Sequence, residues 1–342
     1  MKKLKTTFLT FFLLLMIVPL RSQSFPVAEF TALTTEPTAR FGHTVVSIPD
    51  ISGDGIPDLV VGAPFEDEGV LINEAGAVYL VRSGGGPVTR IPSPNPTPNG
   101  RFGFALDYII DNFGDPLILV GAPYEDIPTH SNAGNVHLFD QTGGWVQTIL
   151  PSVPDADGYF GRAVAGVGAP DGNGNELFVV YQEEGSTSFA DEGEVYAYEL
   201  FNPLPVQTFV PTSPQTNLQF GFSLSRFKPG STEFLIGVVG AQHSMSTTIT
   251  GQVHVGDVAS GTTYVVDDPD DLTIGRFGYD VADLGDRDAN GRHEFLVGDP
   301  WEEDGLDGDG YAYIYEETGS GGANLIQVLS SPNPEARWCL RP

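Results

Sequence analysis

The sequence predicts an all-β chain, a β-propeller of four-stranded antiparallel blades, with five repeats present and a sixth begun. Three observations carry this expectation. A Phe-Gly pair recurs at Phe41-Gly42, Phe102-Gly103, Phe160-Gly161, Phe220-Gly221 and Phe277-Gly278, at intervals of 61, 58, 60 and 57 residues. Each pair opens the same succession of short apolar segments. Glycine (42) and proline (27) together make about one residue in five of the 342, against roughly one in eight in ordinary proteins. That surplus requires many tight turns between many short strands.

Within a unit the elements follow in a fixed order. The residues after the Phe-Gly, such as HTVVSIP (43–49) and FALDYII (104–110), predict a first strand. A turn or acidic loop follows. The second strand reads DLVVGAP (58–64), PLILVGAP (116–123), ELFVVYQ (176–182), EFLIGVVGA (233–241) and EFLVGDP (294–300). Such unbroken apolar runs suit a strand buried on both faces. A variable polar loop leads to a third strand opened by glycine: GAVYLV, GNVHLF, GEVYAY, GQVHVG and GYAYIY, starting at 76, 134, 193, 251 and 310. A fourth closes the unit, as in VTRIPS (88–93) or VQTILPS (146–152). One four-stranded sheet cannot bury both faces alone, so neighbouring sheets stack around an axis. The phenylalanine is expected to wedge between blades, and its glycine to allow close backbone approach.

The ends carry separate signals. Lys2, Lys3 and Lys5 precede the apolar run Phe8–Leu20, and Ser22 and Ser24 follow it. This order reads as a secretory signal over 1–24. The run is shorter than the ~20 residues of a membrane-spanning helix, and no other stretch could span a bilayer. The propeller is placed over 25–336. The tail SSPNPEARWCLRP (330–342) parallels SPNPTPNGRFG (93–103), so 337–342 read as the start of a truncated sixth repeat. EFTAL (29–33) reads as a fourth-strand segment.

Net charge is −29. So acidic a surface repels nucleic-acid phosphates and suits cations. The one cysteine, Cys339, excludes an intrachain disulfide, and a secreted, loop-rich chain then needs another brace.

Two loops offer that brace. In DISGDGIPD (50–58), Asp50, Ser52, Asp54 and Asp58 place oxygens at positions 1, 3, 5 and 9, and the Ile56 carbonyl stands at position 7. In DRDANGRHE (286–294), Asp286, Asp288, Asn290 and Glu294 hold the same four positions, with Arg292 at position 7. A glycine, Gly55 or Gly291, sits at position 6, where the chain turns sharply. Ca2+ takes six to eight oxygens, and the spacing resembles the first half of an EF-hand loop. The competing reading is an Asp-Gly turn without metal, weakened because clustered carboxylates repel unless a cation joins them. DGNGNE (171–176) holds polar oxygens out of register and is a weaker third candidate. DNFGDP (111–116) and KPGSTE (228–233) read as plain turns.

The pairing of Phe-Gly with a Val-Gly-Ala-Pro about 20 residues later resembles the FG-GAP repeat family, which includes the propeller of integrin α subunits. Phe41-Gly42 with Val61-Gly62-Ala63-Pro64, and Phe102-Gly103 with Val120-Gly121-Ala122-Pro123, match in full. The fifth unit reads Val297-Gly298-Asp299-Pro300, the third has lost the GAP, and the fourth keeps Gly240-Ala241. The resemblance implies calcium hairpins between strands. It also implies a secreted or cell-surface, non-catalytic adhesion or binding module with an extracellular protein or glycan ligand. The alternatives are an accessory propeller of a secreted hydrolase and an envelope scaffold.

Other clusters are assigned to the repeat. Glu66-Asp67-Glu68, Glu125-Asp126, Glu183-Glu184 and Glu302-Glu303-Asp304 recur in four units and read as solvated loops rather than one active site. Ser83-Gly84-Gly85-Gly86 reads as a flexible hairpin. His137 and His254 take the strand position of Tyr79, Tyr196 and Tyr313. No HExxH, GxSxG or phosphate-cradling motif occurs.

Overall fold

The computed structural model describes residues 36, 38–168, 176–183, 191–212, 216–228, 232–238, 251–269, 276–300, 310–319 and 321–330. The signal segment 1–24, the EFTAL segment and the tail 337–342 lie outside them. Among the described residues, twenty strands form five sheets. Blade 1 holds β1 (Val45–Ile48), β2 (Asp58–Ala63), β3 (Ala77–Val81) and β4 (Thr89–Pro92). Blade 2 holds β5 (Ala105–Ile110), β6 (Pro116–Ala122), β7 (Asn135–Phe139) and β8 (Trp145–Ile149). Blade 3 holds β9 (Val164–Gly168), β10 (Leu177–Gln182), β11 (Glu194–Glu199) and β12 (Pro205–Phe209). Blade 4 holds β13 (Phe220–Arg226), β14 (Glu233–Val238), β15 (Gln252–Asp257) and β16 (Thr262–Asp267). Blade 5 holds β17 (Asp280–Gly285), β18 (Glu294–Asp299), β19 (Tyr311–Glu317) and β20 (Ala323–Ser330). Each sheet is antiparallel in chain order. The chain is thus an all-β propeller, and no helix among the described residues is long and apolar enough to cross a membrane.

The inner strands pack in sequence: β1 on β5, β5 on β9, β9 on β13 and β13 on β17. Between successive blades lie four apolar cores. Val60, Val78 and Leu80 meet Phe102 and Val120 between blades 1 and 2, and Leu119 and Leu138 meet Phe160 and Val180 between blades 2 and 3. The same pattern recurs around Phe220 and Phe277. These four phenylalanines are fully buried. Each stacks edge-on against the aromatic of its own third strand, such as His137 at 5.6 Å from Phe102 and Tyr313 at 5.5 Å from Phe277. Burial of one such side chain contributes roughly 1.5–3 kcal/mol. Blade 1 differs on its far side, where Phe41 is only half-buried. Val45 there is 55% exposed, whereas its register equivalents Leu106, Val164 and Val281 are 8%, 6% and 5% exposed.

Backbone contact explains the Phe-Gly and GAP residues. The Phe102 and Phe160 amides donate to the Ala75 and Ala133 carbonyls of the preceding blade, both at 2.9 Å. A Cβ on Gly62 would stand 2.2 Å from the Gly103 carbonyl oxygen, and one on Gly121 2.0 Å from that of Gly161. No side chain can occupy that space. The Phe-Gly glycines also need positive φ, +88° at Gly103 and +89° at Gly161.

Register corrects one expectation. Gly62, Gly121 and Gly298 pair with the residue three beyond each Phe, and in blade 4 that partner, Ser223, pairs with Gly237. Gly237, rather than Gly240-Ala241, is therefore the GAP glycine of the fourth unit, and a Cβ there would stand 2.3 Å from the Gly278 carbonyl oxygen. The apolar run EFLIGVVGA offered two glycines, and only pairing distinguishes them. In blade 3 the position belongs to Tyr181, whose ring packs on Gly221.

Near the axis, residues of β5, β9, β13 and β17 line a cavity of about 450 Å3. Arg226 spans it, donating from Nε to the Gly166 carbonyl at 2.7 Å and from Nη2 to the Tyr108 carbonyl at 2.9 Å. One side chain so ties blades 2, 3 and 4.

Candidate metal centre

The β1–β2 loop is organised by two aspartates. Asp50 accepts the amides of Gly53 at 2.7 Å and Gly55 at 2.6 Å. The Gly55 amide first, then those of Gly53 and Asp54 and the Ser52 hydroxyl, hold its carboxyl below the usual range. Asp58, buried at the start of β2, accepts the Ile51 and Ser52 amides on Oδ2, both at 2.9 Å. Burial pushes its pKa up, but these amides and the backbone and hydroxyl of Ser83 outweigh it and leave the group below its ordinary value. Both carboxyls are therefore ionised at neutral pH. Asp54 and the Ile56 carbonyl face the same space as Asp58 Oδ1, and all three converge on the Ser83 hydroxyl. Ser52 points to Asp50, at 3.1 Å.

The β17–β18 loop repeats the scheme. Asp286 accepts the Asn290 and Gly291 amides at 3.0 and 2.8 Å. Glu294 accepts the Arg287 amide at 2.8 Å. Asp286, Asp288 and Glu294 bring one carboxylate oxygen each within 4.8 Å of one another. Asn290 Nδ2 donates to Asp288 at 3.0 Å and to Glu316 at 2.6 Å, and Arg292 Nη1 lies 3.3 Å from Glu316. Glu316 on β19 is thus a further acidic neighbour that the loop sequence does not contain. The donor set, hard oxygens on a tight turn, fits a calcium ion.

The remaining loops differ. At 111–116 a tight turn forms, with Asp111 Oδ1 accepting the Phe113 and Asp115 amides at 2.8 and 2.9 Å. The weaker candidate at 171–176 lies outside the described residues except for Glu176, which accepts the Ile110 amide of blade 2 at 2.8 Å. Blade 4 is more than a plain turn. Glu233 stands four residues before Gly237, as Asp58 and Glu294 stand before Gly62 and Gly298. It receives Lys228 Nζ at 3.2 Å, and the same ammonium pairs with Glu317 of blade 5. Burial would lower the Lys228 pKa, but Glu317 and Glu233 raise it overall and keep the cation charged. The carboxylate that matches Asp58 and Glu294 in register thus faces a tethered cation.

In three of the acidic clusters after the second strands the leading glutamate is buried rather than solvated, while Asp126 is exposed, and Glu184 and residues 302–304 lie outside the described residues. Glu66 and Glu125 are fully buried and Glu183 is 9% exposed. Glu66 accepts the Tyr79 hydroxyl at 2.5 Å and Arg90 Nε at 2.6 Å. Glu125 takes the Ser93 hydroxyl, Asn135 at 2.8 Å and His137 at 2.9 Å, and Glu183 takes Arg162. Their carbonyls receive the glycine amides that open the third strands, Gly76, Gly134 and Gly193. Their partners lie on other strands, so local composition conceals the burial. Beside them runs a half-buried band of arginines and rings. Arg101 lies 4.7 Å from the Phe65 ring and 4.4 Å from that of Tyr124, Tyr124 stacks on Tyr159 at 4.9 Å, and Arg162 lies 5.3 Å from Phe222.

The FG-GAP repeat family matches residues 41–81, which span the first Phe-Gly, the candidate loop and the first GAP. The same register recurs in the four blades that follow. Residues 41–81 are thus an FG-GAP repeat, and the later units are built in its register. Human integrin alpha-6 is 32% identical to this chain over 133 residues, 37% of this chain and 11% of that one. Human integrin alpha-7 is 38% identical over 95 residues and human integrin alpha-11 41% over 54, covering 26% and 16% of this chain. The matched stretches span only 11%, 8% and 4% of those relatives. The crystal structure of BBS1N in complex with ARL6DN, soaked with mercury, covers 86% of this chain and 70% of its own, with a TM-score of 0.50 and 13% identity. That likeness concerns the fold alone.

Proposed function

We propose that this protein is a secreted or cell-surface, calcium-binding propeller that acts as a non-catalytic adhesion or binding module. The observation that carries the reading is the repetition of one oxygen-rich loop, with its carboxylates held by backbone amides, in the same register of blades 1 and 5. Asp50, Ser52, Asp54, Ile56 and Asp58 would hold one Ca2+, and Asp286, Asp288, Asn290, Arg292 and Glu294 a second. The ions brace a chain whose single cysteine rules out an internal disulfide. Affinities of about 0.1–1 mM are expected, as in extracellular modules. Similarity to integrin alpha chains supports an extracellular protein or glycan as ligand. The band of arginines and aromatic rings supplies the residue types enriched at such interfaces.

The test is an array of extracellular-matrix proteins and glycans probed with the purified chain, in calcium and in chelator. Binding to at least one surface in calcium, lost in chelator and weakened by Asp54→Ala, is the expected result. Equal binding with and without calcium would remove the ions from the function, and turnover of glycoside or ester substrates would overturn the non-catalytic reading.

A further inference from the structure

We propose that Ser83, on the hairpin between β3 and β4, contributes its hydroxyl oxygen to the ion held by the β1–β2 loop. The site is then shared between two hairpins of blade 1. This inference rests on the calcium reading of that loop. Ser83 Oγ stands 3.3 and 3.2 Å from the two carboxylate oxygens of Asp54, 3.1 Å from the Ile56 carbonyl oxygen and 2.9 Å from Asp58 Oδ1. Oxygens bound to one calcium ion at 2.3–2.6 Å, and about 75–90° apart, stand about 2.8–3.7 Å from each other. The Ser83 distances fall in that range for loop positions 5, 7 and 9 together.

Proton counting points the same way. One hydroxyl has one proton, and four acceptor oxygens face it. It can satisfy one of them; Asp54 Oδ1 and Asp58 Oδ1 also accept the Ile56 and Ser83 amides at 2.8 and 2.7 Å, which leaves Asp54 Oδ2 and the Ile56 carbonyl oxygen to water or a cation. The backbone fixes Ser83 there independently of its hydroxyl, because its amide donates to Asp58 Oδ1 at 2.7 Å. Gly84, the next residue, also faces Asp54, since a Cβ there would stand 2.7 Å from Asp54 Oδ2. An observation outside the loop supports a cation at this register. In blade 4 the equivalent carboxylate, Glu233, holds the Lys228 ammonium.

The experiment is calorimetric titration of CaCl2 into the full chain carrying Asp286→Ala, so that the β17–β18 loop is silent. Three further variants are compared in that background: Ser83→Ala, Ser83→Thr and Asp54→Ala. Ser83→Ala should raise the Kd about tenfold. Ser83→Thr, which keeps the hydroxyl, should stay within about twofold of the parent. Melting in chelator should be the same for Ser83→Ala and the parent. Superimposable isotherms for Ser83→Ala and the parent, with binding abolished by Asp54→Ala, would overturn the assignment while leaving the loop a calcium site. A Ser83→Ala chain that melts lower in chelator with an unchanged Kd would make Ser83 a structural hydrogen-bond donor only. If Asp54→Ala leaves the isotherm unchanged, the calcium reading of the loop fails first and takes the Ser83 assignment with it.

Discussion

At the residue scale, identical backbone angles carry unequal demands. Gly42 and Gly103 share φ near +89°, yet a Cβ on Gly42 meets nothing within 4 Å, while one on Gly103 would stand 2.8 Å from the Ala77 carbonyl oxygen. Alanine at either position bears the strain of a left-handed backbone, and only Gly103→Ala adds overpacking. Gly103→Ala should therefore lose about 1–3 kcal/mol more than Gly42→Ala in urea unfolding, and equal losses would contradict the blade-to-blade contact. His254 supplies a pH test. Burial, partly opposed by Asp267, lowers its pKa from 6.5 to about 4 in the folded chain. Above about pH 6.5 the ring is neutral folded and unfolded, and its full contribution is present. As pH falls from 6.5 towards 4, the unfolded chain takes a proton that the folded chain refuses, and up to about 3 kcal/mol is lost. His254→Tyr, the residue found at Tyr79, Tyr196 and Tyr313, should gain on the parent in melting temperature at pH 5 relative to pH 7.5. The same difference at both pH values would show that the ring does not titrate in that window. The strand position of His254 was legible from the repeat itself. The buried positions of Glu66 and Glu125 were not, because each is defined by groups ten or more residues away.

Elements behave as separable braces. The oxygen-rich turns of blades 1 and 5 were legible because nine consecutive residues carry most of the oxygens, and the calcium they would hold is proposed. Lys228 was not, because its partner Glu317 lies on β19 of the next blade. This difference predicts two classes of response. Chelator should lower the melting temperature of the parent, and Asp54→Ala should remove part of that drop; identical melts in calcium and chelator would refute ion bracing. Lys228→Met should lose about 1–2 kcal/mol by leaving Glu233 and Glu317 facing each other, and lose it equally in calcium and in chelator. A loss seen only in calcium would mean that this cation acts through the loops and not beside them.

For the whole molecule, the period near 60 residues was enough to give the propeller and the five blades among the described residues, and the sixth unit expected from 337 lies outside them. The fourth-unit glycine was misplaced by three residues, because a sequence repeat marks units more sharply than it marks pairing. Two consequences follow from the stacking. With a net charge of −29, raising monovalent salt from 10 to 150 mM should raise the melting temperature, since screening relieves self-repulsion. A fall would point to ion pairs as the dominant surface term. Hydrogen exchange should be fastest in β1, where Val45 is exposed, and slower in β5 and β9, whose equivalent residues are covered. The joints themselves are made by main-chain atoms. Asn99, Arg101 and Phe102 donate their amides to Asn73, Glu74 and Ala75, and Asp157, Tyr159 and Phe160 repeat the pattern on Ser131, Asn132 and Ala133. A seam written in amides and carbonyls demands bare backbone at its glycines and asks little of the side chains elsewhere along it. Units can therefore differ in their letters, as the third does with tyrosine at the GAP-glycine position, and still share one joint, for Gln219 and Phe220 donate to Asp191 and Glu192.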